Sequence, residues 1–201
     1  MVEGGSFFVM KITPLVIAIV IIGFIVYYQS FFNGFVWDDE SLFVYNPLVH
    51  TVTNIPQFFA GDIFDPRGNA QAVYYKPLLP ASLSVLYTFF GTNPFPSHVF
   101  QVALHLINAL LVFFLFSRFF QKIIAFILAV LFVIHPIQVE AAVYISALQD
   151  VLFFFFGMIA LFLLRRGAHV LLVSCFLLLG LLSKETGALF LVAVFLFTLL
   201  F

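Results

Sequence analysis

The chain has 201 residues, 64% apolar and 8% charged, with a formal net charge of −1 and a mean hydropathy of +1.20. Soluble domains are roughly 45–50% apolar, so this composition excludes a soluble globular protein and specifies an integral protein of the lipid bilayer. The near-neutral charge, without a basic stripe to track phosphates, excludes a nucleic-acid partner, and one cysteine, Cys175, excludes an internal disulfide framework.

From Ile12 to Phe32 no charge interrupts the chain, and about 20 apolar residues suffice to cross the hydrocarbon as a helix. The run lacks the small-residue cleavage pattern of a signal peptide and reads as a retained span. Immediately after it, FVWDDESLFVYN places Asp38, Asp39 and Glu40 side by side. Adjacent like charges disfavour one another's ionisation, and ionisable groups at a membrane segment are costly, so such a cluster points to function. Taken singly, Glu40, Asp62 and Asp65 read equally well as solvated loop acids.

Residues 33–97 form the one long polar region, too long for a bare connector, and read as an outer loop with structure of its own. In NIPQFFAG, Asn54 reads as the cap and Pro56 as part of the first turn of a short amphipathic helix on the membrane surface. GDIFDPRGNAQ reads as an irregular loop. YYKPLLPASLSVLYTFFG reads as a second helix, with both prolines near its start and Gly91 past its end. TNPFPS is a turn, with Ser97 expected to cap the next span, Val99 to Phe116. There His98, Gln101, His105 and Asn108 recur at helical spacing on one stripe. Such a stripe faces protein or water, either to bond neighbouring helices or to line a substrate cavity.

The remaining apolar runs are Ile123 to Ile134, Val151 to Leu164, Val170 to Leu182 and Ala188 to Phe201. His135-Pro136 breaks the first of them. The last two cannot be one helix, because with Ser183, Lys184 and Glu185 between them they would run 32 residues, or roughly 50 Å. The expected architecture is all-α, a polytopic bundle of about six spans. Basic residues favour the cytoplasmic side. A cytoplasmic N-terminus puts Lys11, Arg118, Lys122, Arg165 and Arg166 inside, and every acid except Glu3 outside, which marks an acidic working face. Compact length and no retention signal favour a prokaryotic plasma membrane.

On that outer face Glu140, Asp150 and Glu185 join the acids of the first loop, and burial beside a neighbouring negative charge can turn a carboxylate into a general base. Arg67, Lys76 and Lys184 run against the positive-inside bias. They are explained by an anionic head group such as a phosphate, or by internal pairing, for example of Lys184 with Glu140 or Glu185. His135 and Glu140 do not have the spacing of a zinc site and further ligands are missing, so no metal is expected.

The order of GFVWDDESLFVYNPLV, YYKPLLPASLSVLYTFFGTNPFPSHVFQVALHLINALL, LFVIHPIQVEAAVYISALQDVL and LLSKETGALFL resembles the membrane domain of GT-C glycosyltransferases. It is closest to the protein O-mannosyltransferase-like branch that carries tetratricopeptide repeats. The resemblance runs from about Gly34 to the C-terminus and makes residues 1–201 one GT-C-like membrane domain, with fewer spans than the family's. It implies transfer of a sugar from a polyprenyl-phosphate donor to a hydroxyl of a protein or glycan at the outer face, with no cofactor. The catalytic base region maps to Asp38 and Asp39, or to Glu40 if the alignment slips by one. The HPxxxEA block maps to His135, Pro136 and Glu140, the SKE block to Ser183, Lys184 and Glu185, and the YRPL-like block to Tyr75, Lys76, Pro77 and Leu78. The donor phosphate and substrate would meet Lys76, Arg67, Lys184, Glu140, Asp150, Glu185, His135 and His98. One departure is that Leu148 and Gln149 precede Asp150 where the family commonly has a basic residue, leaving that phosphate contact to Lys76 or Lys184. A non-catalytic scaffold or fragment, and a transporter whose acids coordinate a cation, are the competing readings.

Overall fold

The computed structural model describes residues 11–60 and 75–200, and among them no β-strand occurs. The loop GDIFDPRGNAQ, with Asp62, Asp65 and Arg67, lies outside the described residues, as does Glu3. Helix α1, Ile12–Tyr27, tightens into a 3₁₀ turn at Tyr28–Phe32. A Cβ on Gly23 would stand 2.1 Å from Leu106, so α1 lies tightly against the rest of the bundle there. The Tyr27 hydroxyl donates to the Val133 carbonyl at 2.8 Å, satisfying a buried polar group that lipid could not.

The outer loop then proceeds in short turns: a wide π-turn at Glu40–Val44, 3₁₀ turns at Pro47–His50 and Val52–Asn54, and α2, Ile55–Phe58. Asn54 does not cap α2 with its side chain. Its amide instead donates to the Leu48 carbonyl at 2.9 Å, because the residues before it are already coiled into 3₁₀ turns. The loop is fastened over α3, Leu78–Phe90. Phe43 is buried against Leu79 and Leu83, while His50 stacks on Tyr87 with ring centroids 3.9 Å apart. Gly91 ends α3 at φ +60, a conformation that favours glycine.

The next span starts earlier than expected. Helix α4 is Pro94–Phe116, capped by Asn93, whose Oδ1 accepts the Phe95 amide at 3.1 Å. Ser97 is therefore buried inside the helix and is not its cap. Pro94 and Pro96 fit the first turn, where an amide hydrogen has no intrahelical partner anyway. Helix α5, Lys122–Ile134, stops at His135-Pro136, and α6, Val139–Val143, follows. A turn at Ile145–Ala147 leads into α7, Leu148–Arg165; α8, Val170–Ser183, and α9, Ala188–Leu200, are separated by extended Lys184 and a 3₁₀ turn.

Among the described residues three helical stretches are long and apolar enough to cross a membrane: Ile12–Phe32, Pro94–Phe116 and Ile145–Arg165. The pair Lys122–Ile134 and Pro136–Val143, bent by 53°, would be a fourth. Helices α8 and α9, at 14 and 13 residues, are shorter than the roughly 20 residues of a crossing, so length alone yields fewer spans than the six expected. One end of the bundle gathers Asp38 to Glu40, Lys76, Glu140, Asp150, Lys184 and Glu185; the other carries Lys11 and the turns holding Arg118, Lys122, Arg165 and Arg166.

Candidate active site

The two adjacent aspartates have opposite environments. Asp39 is fully buried, and it accepts the Ser146 amide and hydroxyl on Oδ1 at 2.8 and 2.6 Å and the Val36 amide on Oδ2 at 3.2 Å. It therefore pins the start of the outer loop to the turn ahead of α7. Asp38 is exposed; its amide donates to Tyr144 Oη at 3.1 Å, and its residue lines a cavity of about 290 Å³. Trp37 directs this divergence. It stands at φ +49, in the left-handed region that costs a bulky residue roughly 1–2 kcal/mol, with its ring exposed and edge-on to Tyr144 at 6.0 Å. Burial raises the Tyr144 phenol above the usual tyrosine range, so it stays neutral at physiological pH.

Across the same cavity from this loop stand Lys76, Lys184, Glu140 and Asp150. Lys184 Nζ lies 2.5 Å from Asp150 Oδ1, and Lys76 Nζ lies 3.6 Å from Glu185 Oε2. Internal pairing thus exists, with Asp150 as the partner of Lys184 in place of the anticipated Glu140 or Glu185. Lys76 is 9% exposed, an unusual degree of burial for a lysine. The Glu185 carboxyl is held below its ordinary range by its own backbone amide, opposed by burial, with Lys76 and Lys184 adding to the lowering. Gln149 also lines this cavity, and its Oε1 accepts no hydrogen bond from the described residues.

The polar stripe of α4 bonds neighbouring elements, and two of its residues line a cavity. Gln101 Nε2 donates to the Ala141 and Tyr144 carbonyls, each at 2.6 Å, and Asn108 Nδ2 donates to the Val151 carbonyl at 3.0 Å, joining α4 to the elements that carry Glu140 and Asp150. His98 is buried within reach of the Asp39 charge, near the carbonyls of Asn33, Gly34 and Val143, with no hydrogen bond of good geometry at either nitrogen. His105 and Asn108 line a second cavity of about 360 Å³ that shares Glu140, Asp150 and Lys184 with the first. This cavity shares Phe132, Ile137, Gln138 and Phe154 with an apolar groove of about 410 Å³, lined further down by Val112, Phe116 and Leu128. Shared walls set the three spaces in sequence between an apolar flank of the bundle and Asp38.

Of the anticipated site residues, Asp38, Lys76, Lys184, Glu140 and Asp150 meet at one cavity, with Glu185 paired to Lys76 at its edge. Glu40 is exposed and absent from the lining, Asp39 is committed to hydrogen bonds, and Arg67 lies outside the described residues. His135 caps the turn after α5, its Nδ1 accepting the Ile137 amide at 3.2 Å, and borders the apolar groove. Among the described residues no three His, Cys, Asp or Glu side chains gather as a metal site. Sequence reasoning missed Tyr144 and Ser146, which are uncharged and carry no spacing signal; only the packing of the turn against Asp39 identifies them.

No protein-family model matches the chain, and no solved structure matches it significantly. Curated proteins do match. Protein O-mannosyl-transferase F38B6.6 of Caenorhabditis elegans is 28% identical over 175 residues, 81% of this chain and 25% of its own length. Protein O-mannosyl-transferase TMTC1 of Mus musculus is 31% identical over 131 residues, 63% of this chain and 14% of its own. Protein O-mannosyl-transferase TMTC3 of Mus musculus is 27% identical over 117 residues, 57% of this chain and 13% of its own. The resemblance to the O-mannosyltransferase-like branch is therefore real, and the chain spans a quarter or less of the length of these relatives. All three are animal proteins and lend nothing to a prokaryotic plasma membrane.

Proposed function

We propose that this chain forms the catalytic membrane region of a glycosyltransferase that moves a mannose-like sugar from a polyprenyl-phosphate donor to a hydroxyl of a protein or glycan at the outer membrane face. The observation that carries the proposal is the cavity in which exposed Asp38 shares walls with the paired lysines Lys76 and Lys184, beside a second cavity that adjoins an apolar groove. The curated relatives' names supply the reaction class.

An acceptor hydroxyl is a poor nucleophile until its proton is removed as the new bond forms. Asp38, which like Glu140 lines the cavity outside the two lysine ion pairs and sits on the loop that Asp39 fastens, takes that proton. The acceptor oxygen bonds to the anomeric carbon as the carbon–oxygen bond to phosphate breaks, inverting the anomeric centre. Negative charge then grows on the leaving lipid phosphate, and Lys184 and Lys76 stabilise it. Asp150 and Glu185 hold the two ammonium groups in place before the donor arrives. Asp39 acts as the orienting partner through the loop it fastens.

The test is transfer from radiolabelled polyprenyl-phosphate mannose in membranes containing the wild-type chain, Asp38→Asn or Asp39→Asn. Asp38→Asn is expected to lower transfer at least 100-fold at unchanged abundance, whereas Asp39→Asn lowers abundance and activity together. Wild-type transfer that survives in Asp38→Asn would remove that carboxylate from the base role.

A further inference from the structure

The second cavity has a chemistry that phosphate binding does not account for. His105 and Asn108 are each 1% exposed, and both line it. Asn108 spends its amide nitrogen on the Val151 carbonyl, which fixes the side-chain orientation and leaves Oδ1 as a buried acceptor with no donor, on a residue that borders the cavity. His105 Nε2 likewise makes no hydrogen bond, while its ring is held by stacking on Phe132 at 5.1 Å and edge contact with Tyr27 at 5.5 Å. A buried acceptor without a donor costs about 1–3 kcal/mol, so two such groups on residues bordering one cavity call for an occupant that can donate.

The donor set selects among occupants. Asn108 Oδ1 can only accept, and the neighbouring Glu140 and Asp150 are also acceptors, so a phosphate is disfavoured there and a ligand rich in hydroxyl donors is favoured. The walls are aromatic, Phe132, Phe153 and Phe154, and suit the apolar faces of a sugar ring. The size, about 360 Å³, admits a small ligand, and Lys184 stands at the boundary with the phosphate-binding cavity.

Resting on the function proposed above, we infer that the second cavity is a hexose-binding subsite, in which Asn108 and His105 read the hydroxyls of the donor sugar while Lys184 holds its phosphate. These two are specificity-determining residues. The same hydroxyl chemistry could come from a free sugar or acceptor glycan, and the experiment separates the sources.

The purified full chain in nanodiscs is titrated with polyprenyl-phosphate mannose, with sugarless polyprenyl phosphate, and with free mannose. Variants are Asn108→Leu and, because that change also removes the bond to Val151, His105→Phe, which preserves the aromatic packing. Wild type is expected to bind the mannosylated lipid at least tenfold more tightly than the sugarless lipid. In either variant this preference falls below threefold, with affinity for the sugarless lipid changed less than twofold. A wild type that binds both lipids equally, or variants that keep the full preference, would overturn the subsite and leave the phosphate reading intact. Tight free-mannose binding that the variants abolish, without any lipid preference, would reassign the subsite to another sugar. A wild type that binds neither lipid would overturn the underlying functional reading and the subsite with it.

Discussion

The two ends of the bundle solve the problem of reversing a helix in opposite ways. At the basic end the chain turns within a few residues, as at Ser117–Gln121 and at Arg166–His169, where Gly167 takes φ +68. At the acidic end the reversals are long and irregular, a π-turn, several 3₁₀ turns and a 53° break, and they carry lysines, carboxylates and a strained Trp37. Short turns need only satisfy their own backbone. Irregular backbone beside a membrane survives only where protein or a polar cavity satisfies it, which is why the cavities and the unusual geometry coincide at one end.

Substitutions should respect this contrast. The largest effect is expected at Asp39, since Asp39→Ala strands two buried donors and a part-buried one and should cost about 3 kcal/mol or more. Asp38→Ala, one residue away and exposed, should stay within about 0.5 kcal/mol. Thermal unfolding of the two purified variants measures both, and equal losses would mean that the loop is not fastened through Asp39. Next comes Gly187→Val, whose Cβ would sit 2.6 Å from the Gly180 backbone. It should cost about 1–3 kcal/mol by overpacking and, by shifting the segment that carries Lys184, should also lower sugar transfer.

Lys184→Met leaves Asp150 without its partner in a part-buried site and should cost about 1 kcal/mol, with a larger loss of transfer than of stability. At the opposite end, Arg165→Ala removes a guanidinium 5.9 Å over the Phe119 ring and should cost about 0.5 kcal/mol with transfer unchanged. A loss of transfer there would break the assignment of function to the acidic end. The smallest effect belongs to Glu185. Its folded pKa is lowered from 4.5, so its contribution to stability is present above that value and lost as pH falls through the lower folded one. Melting curves of wild type and Glu185→Gln should differ slightly at neutral pH and converge under strong acid.

Much of the architecture was legible before any coordinates. Apolar runs marked the helices, Pro136 and Ser183 to Glu185 marked the breaks, and the four-residue stripe of α4 was recognisable from its spacing. Cap positions were less legible. Asn54 and Ser97 have good capping chemistry, but neighbouring 3₁₀ turns and the tolerance of proline in a first turn moved the true helix starts. Pairing among the charges was also hidden, because Lys184 had several acids within plausible reach and only the folding of the α8–α9 break against α7 chose Asp150.

Sequence by itself determined a membrane-embedded helical protein, its breaks, and the collection of acids and two lysines at one end. Hydropathy and charge placement are local quantities that lipid and water read directly. Only the tertiary structure decided that Asp39 is an anchor while Asp38 faces the cavity. It also decided that Asn108 and His105, each with an unspent buried polar atom, border a second cavity. Such distinctions depend on which partner lies within about 3 Å, and neighbours brought together from more than 100 positions apart, such as Asp39 and Ser146, leave no periodic trace in the chain.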